Sequence, residues 1–312
     1  MMSHARRGPY LLAALIGLMG LVQPSIAIQA QEPSPVFKTG VALVPITAVV
    51  RDSRNRMVRD LVRDDFHVLE NSQPRPIVDF RVTDKSPVSL ALLLDTSGSM
   101  RGPNFDNAKH VVDGLLNALD QKADEVALFT FDNAIRQETP FTSDPHVIRS
   151  ALNTTHAWGL TSIYDAIAET AKQLGDQRSH RRAVVVVTDG ADTSSTLSPA
   201  EVSGIASAID VPVYVMAVVP PRADDIEAGG GDLSNLAYWT GGALSHVTAS
   251  KSAESTTGAL MAELRQQYFL AIESATASGW HRLDVRTKRR GLTVRARSGY
   301  FATNLHQVHS GD

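Results

Sequence analysis

The sequence predicts an α/β protein: a doubly wound, mostly parallel sheet flanked by helices, with a small β module split between the two ends of the chain. Three observations predict it. Short apolar runs at residues 90–94, 183–187 and 211–219 stop abruptly at polar or turn residues, as strands buried on both faces do. Stretches with apolar residues at helical spacing lie between these runs, as at 105–119 and 163–174. Before Asp84 and after Gln267 the pattern changes to short strands punctuated by turns.

Composition narrows the function classes. The 312 residues are 43% apolar and 20% charged, with a net charge of −3 and no cysteine. The apolar share can fill a sizeable core, and the charge gives no electrostatic footprint for nucleic acid. Without cysteine there is no disulfide, thiolate metal site, cysteine nucleophile or lipid-modified cysteine.

In chain order, Arg6 and Arg7 precede an apolar stretch over 10–22, followed by Ser25-Ile26-Ala27 and Ala30. That order is a secretory signal (1–27) cleaved after Ala27 or Ala30; an uncleaved anchor is the alternative, though the run falls short of the ~20 residues a span needs. No other segment could cross a bilayer. The mature protein is therefore expected to be exported, periplasmic or secreted, and export without disulfides suggests a bacterial envelope. Residues 28–39 read as a flexible leader and 40–84 as a β segment, with strands at 41–50, 66–69 and 77–82 and turns around Asn55 and at 70–74. Asp64-Asp65 is read as a solvated loop or helix start in preference to a metal pair.

The next elements are a buried strand at 90–94, a helix at 105–119 and a strand at 126–131 with an edge partner at 135–139. Helices at 147–152 and 163–174 and a buried strand at 183–187 follow. Ser198, Pro199 and Glu201 open the next helix as N-cap, first-turn proline and capping-box acid. A strand at 211–219, a helix at 233–238, a strand at 244–247 and an amphipathic helix at 253–267 complete the alternation. The Gly229-Gly230-Gly231 triplet lacks the Lys-Ser/Thr of a phosphate loop and is read as flexible. Strands at 268–272, 281–286, 292–296 and 300–301 form a C-terminal β segment (268–303) expected to pack on 40–84, with 304–312 as a tail; neither segment is large enough to stand alone.

The chemistry gathers at strand ends. Asp95 closes the first buried strand and leads into Thr96-Ser97-Gly98-Ser99, so one carboxylate and two hydroxyls alternate along a tight loop. These are hard oxygen donors, suited to Mg²⁺, Mn²⁺ or Ca²⁺. Thr161 lies in the loop opening the 163–174 helix, and Asp189 ends the second buried strand. In a doubly wound sheet all three places face one crevice. Met100, Ser162 and Gly190 flank it as candidate ligand contacts.

This combination resembles a von Willebrand factor type A (VWA) domain with a metal-ion-dependent adhesion site, over about 86–267. The flanks resemble the VWFA-related family named for acidobacteria: VVRDSRNRMVRDLVRDDFHVLENSQPRPIVDF upstream, and QQYFLAIES, WHRLDVRTKRRGLTVRARSGYFA downstream. Asn55 and Asn71-Ser72 stand where that family usually has Gly-containing turns. The resemblance implies a Rossmann-like fold in which Ser97, Ser99 and Thr161 donate hydroxyl oxygens to the ion. Asp95 and Asp189 would supply charge directly or through water. An acidic side chain of a protein or of a matrix or envelope ligand would then complete the shell, giving metal-dependent adhesion.

Enzyme readings are weaker. A phosphatase with an aspartyl nucleophile at Asp95 would need a second Asp two residues on, where Ser97 stands. There is no HExxH and no G-x-S-x-G. His156 is read as a surface residue. The chain is expected to be a binding protein, not an enzyme; an envelope scaffold without a metal-switched ligand, or a metal-dependent hydrolase, are the alternatives. Arg282, Arg286, Lys288, Arg289, Arg290, Arg295 and Arg297 cluster in the C-terminal segment, as a solvated sheet face or a contact for anionic lipid or polysaccharide.

Overall fold

The computed structural model describes residues 43–83, 86–175, 181–208, 210–220, 231–275 and 277–302. The expected signal, leader and tail, and Gly229 and Gly230, lie outside them. The strands are β1 Leu43–Asp52, β2 Phe66–Glu70, β3 Gln73–Arg75, β4 Asp79–Thr83, β5 Val88–Asp95, β6 Glu125–Phe131, β7 Ile135–Thr142, β8 Arg181–Thr188, β9 Val213–Ala217, β10 Leu244–His246, β11 Gln267–Glu273, β12 Gly279–Thr287, β13 Leu292–Ala296 and β14 Gly299–Ala302. The helices are α1 Pro103–Ala118, α2 Pro145–Thr154, α3 Ile163–Gly175, α4 Pro199–Ala208, α5 Asp232–Trp239 and α6 Ser250–Arg265.

A six-stranded sheet in the order β10-β9-β8-β5-β6-β7 forms the centre, parallel except for the β6–β7 pair. Every residue of β5 is buried. Side chains alternate across a strand, so Leu90, Leu92 and Leu94 enter one core with Val111, Leu115 and Met261. Ala91 and Leu93 enter the other with Ile163, Ile167 and Val202. Helices therefore cover both faces. The sequence is continuously apolar here because neither face meets water. At α4 the capping box forms as expected: Ser198 N–H donates to Glu201 (2.8 Å), and Glu201 N–H donates back to Ser198 Oγ (3.3 Å).

The chain ends build two four-stranded antiparallel sheets, β13-β1-β11-β4 and β14-β12-β2-β3. They share a third core containing Ile46, Val68, Leu270 and Leu283. This is the expected β module split between the two chain ends, built as two sheets: β2 and β4 do not pair with each other, and each joins C-terminal strands in a different sheet. The turn expected over 70–74 shrinks to Asn71-Ser72, both left-handed (φ 48° and 67°), and Gln73 and Pro74 already belong to a strand. Asn55 is also left-handed (φ 61°), a conformation asparagine tolerates better than most residues. Asp64-Asp65 falls in a single 3-10 turn, Arg63–Asp65. Strand β9 is shorter than the apolar run over 211–219.

Candidate metal centre

Three loops meet at the carboxyl ends of β5 and β8. Asp95, the last residue of β5, is fully buried. One carboxylate oxygen accepts Ser97 N–H (2.8 Å), and the other accepts the hydroxyl of Thr188 at the end of β8 (2.6 Å). Burial pushes the Asp95 carboxyl up to about 6. Hydrogen bonds from Thr188 and from the backbone and side chain of Ser97 oppose that rise, and the charge of Asp189 adds to it. Ser97 Oγ and Ser99 Oγ lie 3.1 Å apart. Asp189 is 7% exposed and follows β8 directly.

The loop before α3 is tied to the Asp95 loop by its backbone. Trp158 N–H donates to Thr96 O (2.5 Å), and Gly98 N–H donates to Gly159 O (3.0 Å). Thr161, 3% exposed, is held by the loop after β8. Its N–H donates to Thr193 Oγ1 (3.0 Å), and its carbonyl accepts the N–H groups of Thr193 (2.9 Å) and Ser194 (3.0 Å). Asp192 then accepts Ile163 N–H (2.8 Å) and Ser195 Oγ accepts Tyr164 N–H (2.9 Å), satisfying the free amides that open α3. Asp95, Ser97 and Ser99 thus share one loop, and hydrogen bonds bind it to the loops of Thr161 and Asp189.

The donor set fits a hard divalent cation. It offers two carboxylates and three hydroxyls, and among the described residues neither Asp95 nor Asp189 has a basic partner. A desolvated carboxylate is costly unless paired or bound to a metal. Among the described residues no three His, Asp or Glu side chains gather as a metal site, so hydroxyls are indispensable to this candidate.

The expected rim needs one correction. Met100 is fully buried in the core shared with α1 and cannot touch a ligand. Ser162 is nearly buried and pairs with Ser194 (2.8 Å), whereas Gly190 is exposed in a left-handed conformation (φ 89°). Sequence reasoning missed Thr188, the 192–195 caps, and Trp158 and Leu160, which are 61% and 58% exposed beside the crevice. The run Asp192-Thr193-Ser194-Ser195 was the available signal, since these residues satisfy nearby backbone groups. His156 is exposed, as expected.

The basic cluster is mostly paired. Arg286 pairs with Asp284 (2.5 Å), Arg289 with Asp60 (2.8 Å) and Asp65 (3.1 Å), and Arg295 with Glu263. Arg297 is buried against the carbonyls of Ser207 and Pro45 and lies 3.6 Å from Asp210.

Residues 90–191 match the family profile described as von Willebrand factor type A domain. Among solved structures, the chain is similar to an aerotolerance-related membrane protein from Bacteroides fragilis, at 21% identity, 57% of this chain, 98% of the other and a TM-score of 0.47. BatB from Bacteroides thetaiotaomicron gives the same values. A von Willebrand factor type A protein from Catenulispora acidiphila aligns at 13% identity over 73% of each chain, with a TM-score of 0.48. No curated protein matches the chain.

Proposed function

We propose that this chain, whose residues 90–191 are a von Willebrand factor type A domain, is an exported protein that binds a protein or matrix ligand through a divalent cation. The cation is Mg²⁺, or Mn²⁺ or Ca²⁺ in its place, held by Asp95, Ser97, Ser99, Thr161 and Asp189. The observation that carries this reading is Asp95, a fully buried carboxylate with no basic partner among the described residues, beside a second carboxylate and a close hydroxyl pair. When bound, the ion supplies a positive centre with an open position that an acidic ligand group can fill.

The chain's own residues do the rest. Thr188 and Ser97 N–H orient Asp95, and the 192–195 loop fixes Thr161. Trp158 and Leu160 place apolar surface beside the crevice, which favours a ligand whose acidic side chain has an apolar neighbour. The reading requires no bond chemistry and takes the protein as a binder and not an enzyme. Arg6, Arg7 and the apolar stretch after them support export, and fractionation of expressing cells tests that step.

One observation favours a second reading. Asp95 already accepts hydrogen bonds on both oxygens, as it would in an envelope scaffold whose strand end is simply capped. A pull-down with and without chelator, using wild type and Asp95→Ala, separates the two. Capture lost on chelation and in the variant supports metal-dependent binding; capture unaffected by either supports the scaffold.

A further inference from the structure

We propose that the outer face of β12 is a second binding site, a groove for an acidic polysaccharide built from uronate sugars, independent of the metal centre. Along β12 the inward side chains His281, Leu283 and Val285 are buried, so Trp280, Arg282, Asp284 and Arg286 form the outward row. A cavity of about 660 Å³ lies between this row and α4 and α5. A smaller one of about 240 Å³ adjoins it and shares Arg282 and Asp284. The row spans about 20 Å at the rise of a strand, the proportions of a linear chain of a few sugars.

Three aromatic rings wall the larger cavity and remain exposed: Trp280 (41%), Phe301 (53%) and Tyr238 (60%). Trp280 and Phe301 meet edge to face at 5.2 Å. Gly299 has no room for a Cβ, because the Trp280 ring lies against its backbone. The ring is therefore held in place before any ligand arrives. The electron-rich face of an aromatic ring attracts the weakly positive C–H face of a pyranose.

Charge then selects among sugars. Arg286 is engaged by Asp284, whereas the Arg282 guanidinium has no partner among the described residues. Residues two apart on a strand face stand about 7 Å apart. A sugar stacked on Trp280 can thus offer its carboxylate to Arg282, which suits bidentate pairing. A peptide fits less well. Residues 279–282 of β12 pair with β14 and residues 283–287 with β2, so the row offers side chains to a ligand more than a free strand edge.

The test uses the full chain in chelator, which silences the metal centre and removes cation bridging by uronates. Calorimetry with a galacturonate hexamer should show saturable binding that weakens with salt. Trp280→Ala and Arg282→Glu should each weaken it at least tenfold, and Asp95→Ala should leave it unchanged. Cellohexaose should bind at least tenfold more weakly. If Trp280→Ala fails to fold, Arg282→Glu, an exposed site, decides alone. Absence of hexamer binding, equal binding of cellohexaose or polyglutamate, binding that requires Asp95, or binding unaffected by the variants would overturn the proposal. Failure of the metal reading would leave this result untouched.

Discussion

At Asp95, burial and position pull in opposite directions: the side chain is fully buried, yet it closes β5 at the mouth of the crevice. Its carboxyl is raised from 3.8 to about 6, so in the metal-free fold the neutral form predominates only below about pH 6. The sign follows from linkage. The contribution of Asp95 to stability is fully present below about pH 4 and is lost as pH rises through 6, by ~3 kcal/mol. Metal-free wild type should therefore lose melting temperature between pH 4 and 7 relative to Asp95→Asn, whose amide does not ionise; parallel melting curves across that range would contradict this. Asp95→Ala should stay folded and lose metal binding, checked by circular dichroism beside a metal titration. Asp95, Ser97 and Ser99 stood out in the sequence because an apolar run ends at them. Thr188 did not, because a threonine at a strand end has no signature until its hydroxyl is seen 2.6 Å from a carboxylate.

At the scale of elements, the loop into α3 is the fragile part of the site. Gly159 has φ 97°, and an added Cβ would lie 3.2 Å from Asp132 Cβ. Its carbonyl also accepts Gly98 N–H, so distortion there reaches both Ser99 and Thr161. Gly159→Val should cost about 1–3 kcal/mol in chemical denaturation, from backbone strain and crowding. It should weaken metal affinity as well; wild-type affinity in this variant would show that the loop does not position the site. Sequence periodicity located the strands and helices of the central sheet because each is buried on a face with its own repeat. It could not pair β2 and β4 with their partners. Those contacts cross about 200 residues of chain, and nothing local in 66–70 or 79–83 encodes which C-terminal strand each meets.

At the scale of the whole molecule, Glu263 joins the parts. Buried on α6, it accepts Arg51 from β1 (2.5 Å), Arg295 from β13 and the Tyr214 hydroxyl from β9 (2.7 Å). Burial and the Glu263 charge hold the Tyr214 phenol well above its ordinary range, so it remains a donor. Glu263→Ala leaves two arginines facing each other and should lower stability by about 3–5 kcal/mol; a loss below 1 kcal/mol would mean that the sheets are held by apolar packing alone. Read from sequence, Glu263 is one more charge on an amphipathic helix, because the flanking β segments that bury it lie far away in the chain. The proposed cation lies elsewhere, in the crevice at the carboxyl ends of β5 and β8 where Asp95 and Thr188 meet, and its binding there is the central claim. Calorimetric titration of Mg²⁺, Mn²⁺ and Ca²⁺ into chelator-treated wild type and Asp95→Ala tests it most directly. One saturable site in the wild type, absent from a folded variant, is the predicted result; no binding to the wild type, or equal binding to both proteins, would contradict it.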